Sequence, residues 1–145
     1  MKVSLSKKSV MSVNRHILKN DRLVYLLVGP KPVRYHDGRS RIVYIGTTKK
    51  GADRIAASAA HRAEEILAMH GFRQMDVFVA SSKSKQGLKS WRHLEHALLA
   101  EFRITYLDLP RCNAQGKKLE WTEKLDKLFR CKTIDRILMQ FDGSH

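Results

Sequence analysis

One carboxylate in this sequence occupies a position where its kind is costly. Trp91, Leu94, Leu98 and Phe102 recur at helical spacing between about Leu88 and Tyr106 and define an apolar stripe. Glu95 follows Trp91 by four residues and precedes Leu98 by three, which puts it on or beside that stripe. A glutamate there needs an ion-pair partner such as Arg92, a bound metal ion, or a helix rotation that leaves it on the wet margin. A second set lies upstream. Arg54, Ser58 and His61 share one face of a helix over residues 52–70, opposite its apolar stripe of Ile55, Ala59, Ala63 and Ile66. On that face Arg54 is free to point into a cleft. Tyr25 and Tyr44 fall on two adjacent strands, so their rings can meet.

The elements that must position these groups follow from the hydropathy pattern. Leu23 to Val28 is a short apolar run rich in strand formers, with Asp21 before it and Gly29-Pro30 after it as turn signals. Arg41 to Ile45 is a second strand after Asp37-Gly38, a dipeptide suited to tight hairpins. Pro30 and Pro32 should interrupt the first arm, because proline is tolerated only at strand edges and bulges. The helix over 52–70 should end at Gly71, and Met75–Val79 should form a third strand. A Ser/Lys loop from Ser81 to Gln86 leads to the Glu95 helix. Two short amphipathic helices follow near 122–130 and 133–141, with Thr122 and Thr133 as N-caps. Their apolar residues, Leu125, Leu128, Phe129, Ile134, Ile137, Leu138 and Phe141, are expected to pack on the core. Residues 7–19 can form a further short helix.

The expected class is α+β: a small three-stranded antiparallel sheet flanked by helices, in the order β-β-α-β-α. Helical extensions stand at both ends, residues 1–20 and 119–141, around a core of about 22–114. The whole reads as a single domain.

The 145 residues include 28 Lys and Arg against 14 Asp and Glu, a formal net charge of +14. An apolar fraction of 43% fits a globular protein and argues against wholesale disorder. No apolar run approaches the roughly 20 residues of a membrane span. Met1–Lys8 has no stretch apolar enough for a secretory signal. Cys112 and Cys131 lack CxxC spacing, so a reducing, cytoplasmic-type compartment is expected. The basic surplus falls in three stretches: residues 1–20, 29–54 and 73–92. Folded onto one face, they would bind a phosphate backbone by counterion release. The candidate contacts are Arg39, Arg41, Lys49, Lys50, Lys83, Lys85 and Lys89. Other motifs fail: no phosphate-cradling GxxxxGK[ST] occurs, and His93-Leu94-Glu95 lacks the later PCxxC of zinc deaminases.

The ordered set Tyr25, Tyr44-Ile45-Gly46, Arg54, Glu95 and Pro110-Arg111-Cys112-Asn113 resembles the GIY-YIG nuclease superfamily. The resemblance spans roughly residues 23–114. It implies a three-stranded antiparallel sheet flanked by helices, which agrees with the order read from the pattern. Tyr25 matches the tyrosine ending the first motif and Tyr44 the one opening the second. Arg54 looks like the family's helix arginine, Glu95 its metal-binding glutamate, and Asn113 its supporting asparagine. The first motif departs from the pattern, reading Leu23-Val24-Tyr25, and the segment between the tyrosines is longer than in compact members.

The resemblance implies an endonuclease that hydrolyses phosphodiester bonds with one Mg²⁺ or Mn²⁺ ion held by Glu95. Arg54 would stabilise charge on the phosphoryl oxygens, and the tyrosines would activate and orient water. Tyr25 is the expected base, tuned by Arg54 and nearby lysines, with the two tyrosine roles exchangeable. His61 is a further candidate for phosphate contact or proton transfer, or a solvated surface histidine. DNA is the expected substrate, with RNA the other polyanion of the same character. The charge and fold equally suit a non-catalytic nucleic-acid-binding module, or a nuclease subunit that takes its specificity from a protein partner.

Overall fold

Six apolar residues in a row, Leu23 to Val28, make a strand buried on both faces. They open β1 (Leu23–Arg34), the central strand of a three-stranded antiparallel sheet ordered β2-β1-β3, with β2 at Arg39–Thr48 and β3 at Asp76–Ala80. The computed structural model describes residues 22–82, 89–114 and 119–143. The expected helix over 7–19 lies outside the described residues.

Alternation along β1 divides the core into two layers. Val24, Leu26 and Val28 pack with Ile42 and Ile45 under α2 (Ser90–Tyr106), α3 (Glu123–Leu128) and α4 (Cys131–Met139). Leu23, Tyr25 and Leu27 pack with Val43 under Ile55 and Ile66 of α1 (Gly51–His70). α1 ends as expected at Gly71, whose φ of 61° supplies the left-handed cap. The chain is thus α+β, in the order β-β-α-β-α-α-α.

Several expectations change in detail. The pairing of β1 with β2 is interrupted at the prolines, as expected, but the strand does not end there. It continues to Arg34, with its register against β2 shifted between Val28 and Val33, and Pro30 and Pro32 lie exposed within that shift. Pairing with β3 covers only Val24–Val28, so the prolines face no second ladder. The hairpin connection is four residues, Tyr35 to Gly38, rather than a two-residue turn. Glu123 opens α3 after Thr122, as expected, but α4 begins at Cys131 with Arg130 in the N-cap position, not Thr133.

α2 is buried on more than one stripe. Ala97, Leu99, Ala100 and Glu101 join Leu94, Leu98 and Phe102 in the interior, because α4 packs across α2 as well as the sheet does. Leu125, Ile134, Leu138 and Phe141 are buried in the same layer, the packing role expected of the C-terminal helices. No helix among the described residues is long and apolar enough to cross a membrane.

Candidate active site

A β-bulge aims the second tyrosine. Leu27 pairs with Tyr44 and Val28 with Ile42, so Val43 is the extra residue on β2. Val43 and Tyr44 therefore both face the α1 layer, where regular alternation would have sent them to opposite faces. Tyr25 pairs with Gly46, two residues further along β2, and reaches the same layer. The two rings lie 5.8 Å apart, tilted by 43°. Gly46 makes room: a Cβ there would stand 2.6 Å from Cε1 of Tyr44, so the ring lies directly against the glycine.

α1 closes over this pair. Tyr25 is 3% exposed, and its hydroxyl lies 2.6 Å from the Ser58 hydroxyl. The expectation that Arg54, Ser58 and His61 share a face opposite the apolar stripe is corrected here. Ser58 lies a turn from buried Ile55 and points at the sheet; that face borders the stripe and overhangs the tyrosines. Arg54 and His61 stay exposed on its outer side. Among the described residues nothing pairs with the Arg54 guanidinium. Among the described residues the cation stacked on Tyr44 is instead Arg62, its guanidinium carbon 4.7 Å from the ring centroid. Arg62 also donates to Glu65 at 2.9 Å. Burial, helped by Tyr25 alongside, pushes the Tyr44 hydroxyl up to about 12; Arg62 pulls against the rise and Glu95 adds to it. At neutral pH Tyr44 carries its proton.

Glu95 approaches from the other layer. It is half-buried on the margin of the α2 stripe, and its Oε2 accepts from the Thr47 hydroxyl at 3.4 Å. Thr47 pairs with Val24 of the α2 layer, so this bond lies on the opposite face of the edge strand from the tyrosines, while the Glu95 charge still acts on Tyr44. The carboxylate that is truly buried on α2 is Glu101, 7% exposed, which accepts from the Cys131 thiol at 3.3 Å. The sequence pattern singled out Glu95 and missed Glu101, because α4 adds a second buried face that one stripe does not reveal.

Asn113 finishes the frame. Its side-chain amide accepts from the Ile45 N–H at 3.0 Å and donates to the Ile45 carbonyl at 2.8 Å. The Cys112 N–H donates to the Val43 carbonyl at 2.9 Å. Residues 112 and 113 thus act as a short surrogate strand on the free edge of β2, gripping it on both sides of Tyr44.

The basic candidates divide by position. Lys49 and Lys50 are exposed between β2 and α1, and Lys89 is exposed just before α2. Pairing of Leu23 with Thr48 and Val24 with Ala80 puts them at one end of the sheet, with Arg22 and Arg54. Arg39 and Arg41 do not join them. Arg39 lies five residues along β2 from Tyr44, about 16 Å by strand rise. Arg41 donates to the Gly29 carbonyl at 2.9 Å and lies 3.9 Å from Asp76, a bracing role. Lys83 and Lys85 lie outside the described residues.

Among the described residues no group of three or more His, Cys, Asp or Glu side chains converges as a metal site. Glu95 is a single hard oxygen donor at an open strand edge, beside lysines that attract phosphate. That suits a Mg²⁺-type ion, which keeps waters and takes its remaining ligands from a phosphate substrate. No family model, no curated protein and no solved structure matches the chain.

Proposed function

We propose that this chain is a GIY-YIG-type endonuclease that hydrolyses phosphodiester bonds in DNA with one divalent ion, Mg²⁺ or Mn²⁺, held by Glu95. The observation that carries this reading is the Tyr25–Tyr44 ring pair beside the stretch of β2 where Glu95 meets Thr47, with Asn113 gripping the backbone between Tyr44 and Gly46. Sequence-distant groups of the required kinds lie on neighbouring residues of one strand, Tyr44 to Thr47, next to a basic sheet end that suits a phosphate backbone.

In this reading a water oxygen attacks phosphorus as the bond to the leaving oxygen breaks, and the leaving oxygen takes a proton from solvent. Tyr25 receives the water's proton, and the Ser58 hydroxyl, 2.6 Å away, shares a hydrogen bond with the Tyr25 oxygen. Tyr44 keeps its proton at neutral pH and so donates a hydrogen bond that orients water or phosphate. Exposed Arg54 offers its fork of donors to a non-bridging oxygen. An ion at Glu95 would supply Lewis-acid stabilisation of the phosphoryl charge.

One observation favours a second reading. Tyr25 is nearly sealed under Ser58, which suits a non-catalytic clamp that retains the fold, or a subunit opened by a partner. Incubating the chain with supercoiled, branched and single-stranded DNA in Mg²⁺ and in Mn²⁺ separates the two. The nuclease reading expects nicking that a chelator stops. Salt-dependent binding without any cut product supports the clamp.

A further inference from the structure

Arg62 has no role in the reaction derived above, yet its guanidinium is the one stacked on a ring of the tyrosine pair among the described residues. It lies two turns after Arg54 on α1, half-buried, with its guanidinium on the face of the Tyr44 ring. The ring is confined elsewhere by Gly46, which leaves no room for a Cβ, and by the Tyr25 ring. The bulge at Val43 fixes where its Cα stands, not how the ring turns. Glu65, one turn on, accepts from Nη1 of Arg62 and restrains the long side chain. A guanidinium stacked on a phenol and tethered behind is in the geometry that holds a ring by cation–π attraction.

We propose that Arg62, braced by Glu65, is a positioning residue that clamps the Tyr44 ring against Gly46 and so fixes where the Tyr44 hydroxyl is presented. Its consequence for cleavage rests on the nuclease reading; the clamp itself does not. A lysine retains the charge on the ring face but loses the planar stack, so it should restore the clamp in part.

The test uses the full chain with ring-¹³C tyrosine. The sequence has four tyrosines, and Tyr44→Phe assigns the Tyr44 signals by their loss. Arg62→Met should move the Tyr44 ring signals and leave those of Tyr35 and Tyr106 in place; Arg62→Lys should move them part of the way back. Arg62→Gln serves in its place if the Met variant does not fold. In DNA cleavage, Arg62→Met should lower kcat about tenfold with KM changed less than about twofold, and should cost nothing further in a Tyr44→Phe background. Unmoved Tyr44 signals overturn the clamp. Losses that simply add in the double variant overturn its action through Tyr44. Should the wild type cut no DNA, the nuclease reading falls, while the ring signals still decide whether Arg62 clamps Tyr44.

Discussion

Tyr44 is the residue on which most of the site's constraints meet, and they have measurable consequences outside any reaction. Its hydroxyl is pushed up to about 12 from an ordinary value near 10. Between those pH values the unfolded chain has released the proton and the native chain still holds it, so stability falls as pH rises through that window. Below about pH 10 both states hold the proton and Tyr44 adds no pH dependence. Denaturant midpoints at pH 9 and pH 11 should therefore drop less for Tyr44→Phe than for the wild type. Gly46→Ala should act on the same ring from below. The added methyl collides with Cε1 and must displace the ring or β2, at a cost of about 1–3 kcal/mol read by denaturation. The types and spacing of Tyr25, Tyr44, Glu95 and Asn113 were legible in the sequence; the fold sets the two rings together, Asn113 on the Ile45 backbone and Glu95 on Thr47. Arg62 was not legible. An arginine eight residues after Arg54 on a polar helix face reads as solvated, and only the bulge that turns Tyr44 into the α1 layer gives it a ring to stack on.

At the scale of elements, hydropathy revealed the three strands and the helices, because buried strands and amphipathic helices leave periods of their own. It did not reveal the register. One extra residue at Val43 reverses which side chains share a face, and a pattern of near-continuous apolar residues carries no sign of it. The interruption at Pro30 and Pro32 was legible from proline's missing N–H, whereas where β3 stops pairing was not. The C-terminal pair of helices does more than decorate the core. α4 buries the flank of α2 that carries Glu101, and thereby sets the rotation that leaves Glu95 on the margin. Leu138 is fully buried between them, so Leu138→Ala should cost about 2–5 kcal/mol, read by thermal or denaturant unfolding.

Over the whole molecule, the surplus of 28 basic against 14 acidic residues is not spread evenly around the site. The sheet end that carries Glu95 also carries Arg22, Lys49, Lys50, Arg54 and Lys89, whereas the hairpin arginines lie towards the opposite end or brace it. In the proposed function the partner is a polyanion, and the strand pairing tells which basic stretches share the end that carries Glu95. Lys49→Ala with Lys50→Ala should weaken DNA binding alike for all sequences. It should also flatten the log K against log salt slope by about 2, as measured by fluorescence anisotropy. A slope equal to that of the wild type would remove this end from the DNA path. The central claim, that the basic end feeds a cutting site built on Glu95, is tested most directly by one comparison. Wild type and Glu95→Ala are assayed side by side for Mg²⁺-dependent cleavage of the DNA panel, with binding measured on the same samples. Glu95→Ala should bind DNA within about threefold of wild type and cut none of it. Cutting by Glu95→Ala at the wild-type rate would contradict the central claim.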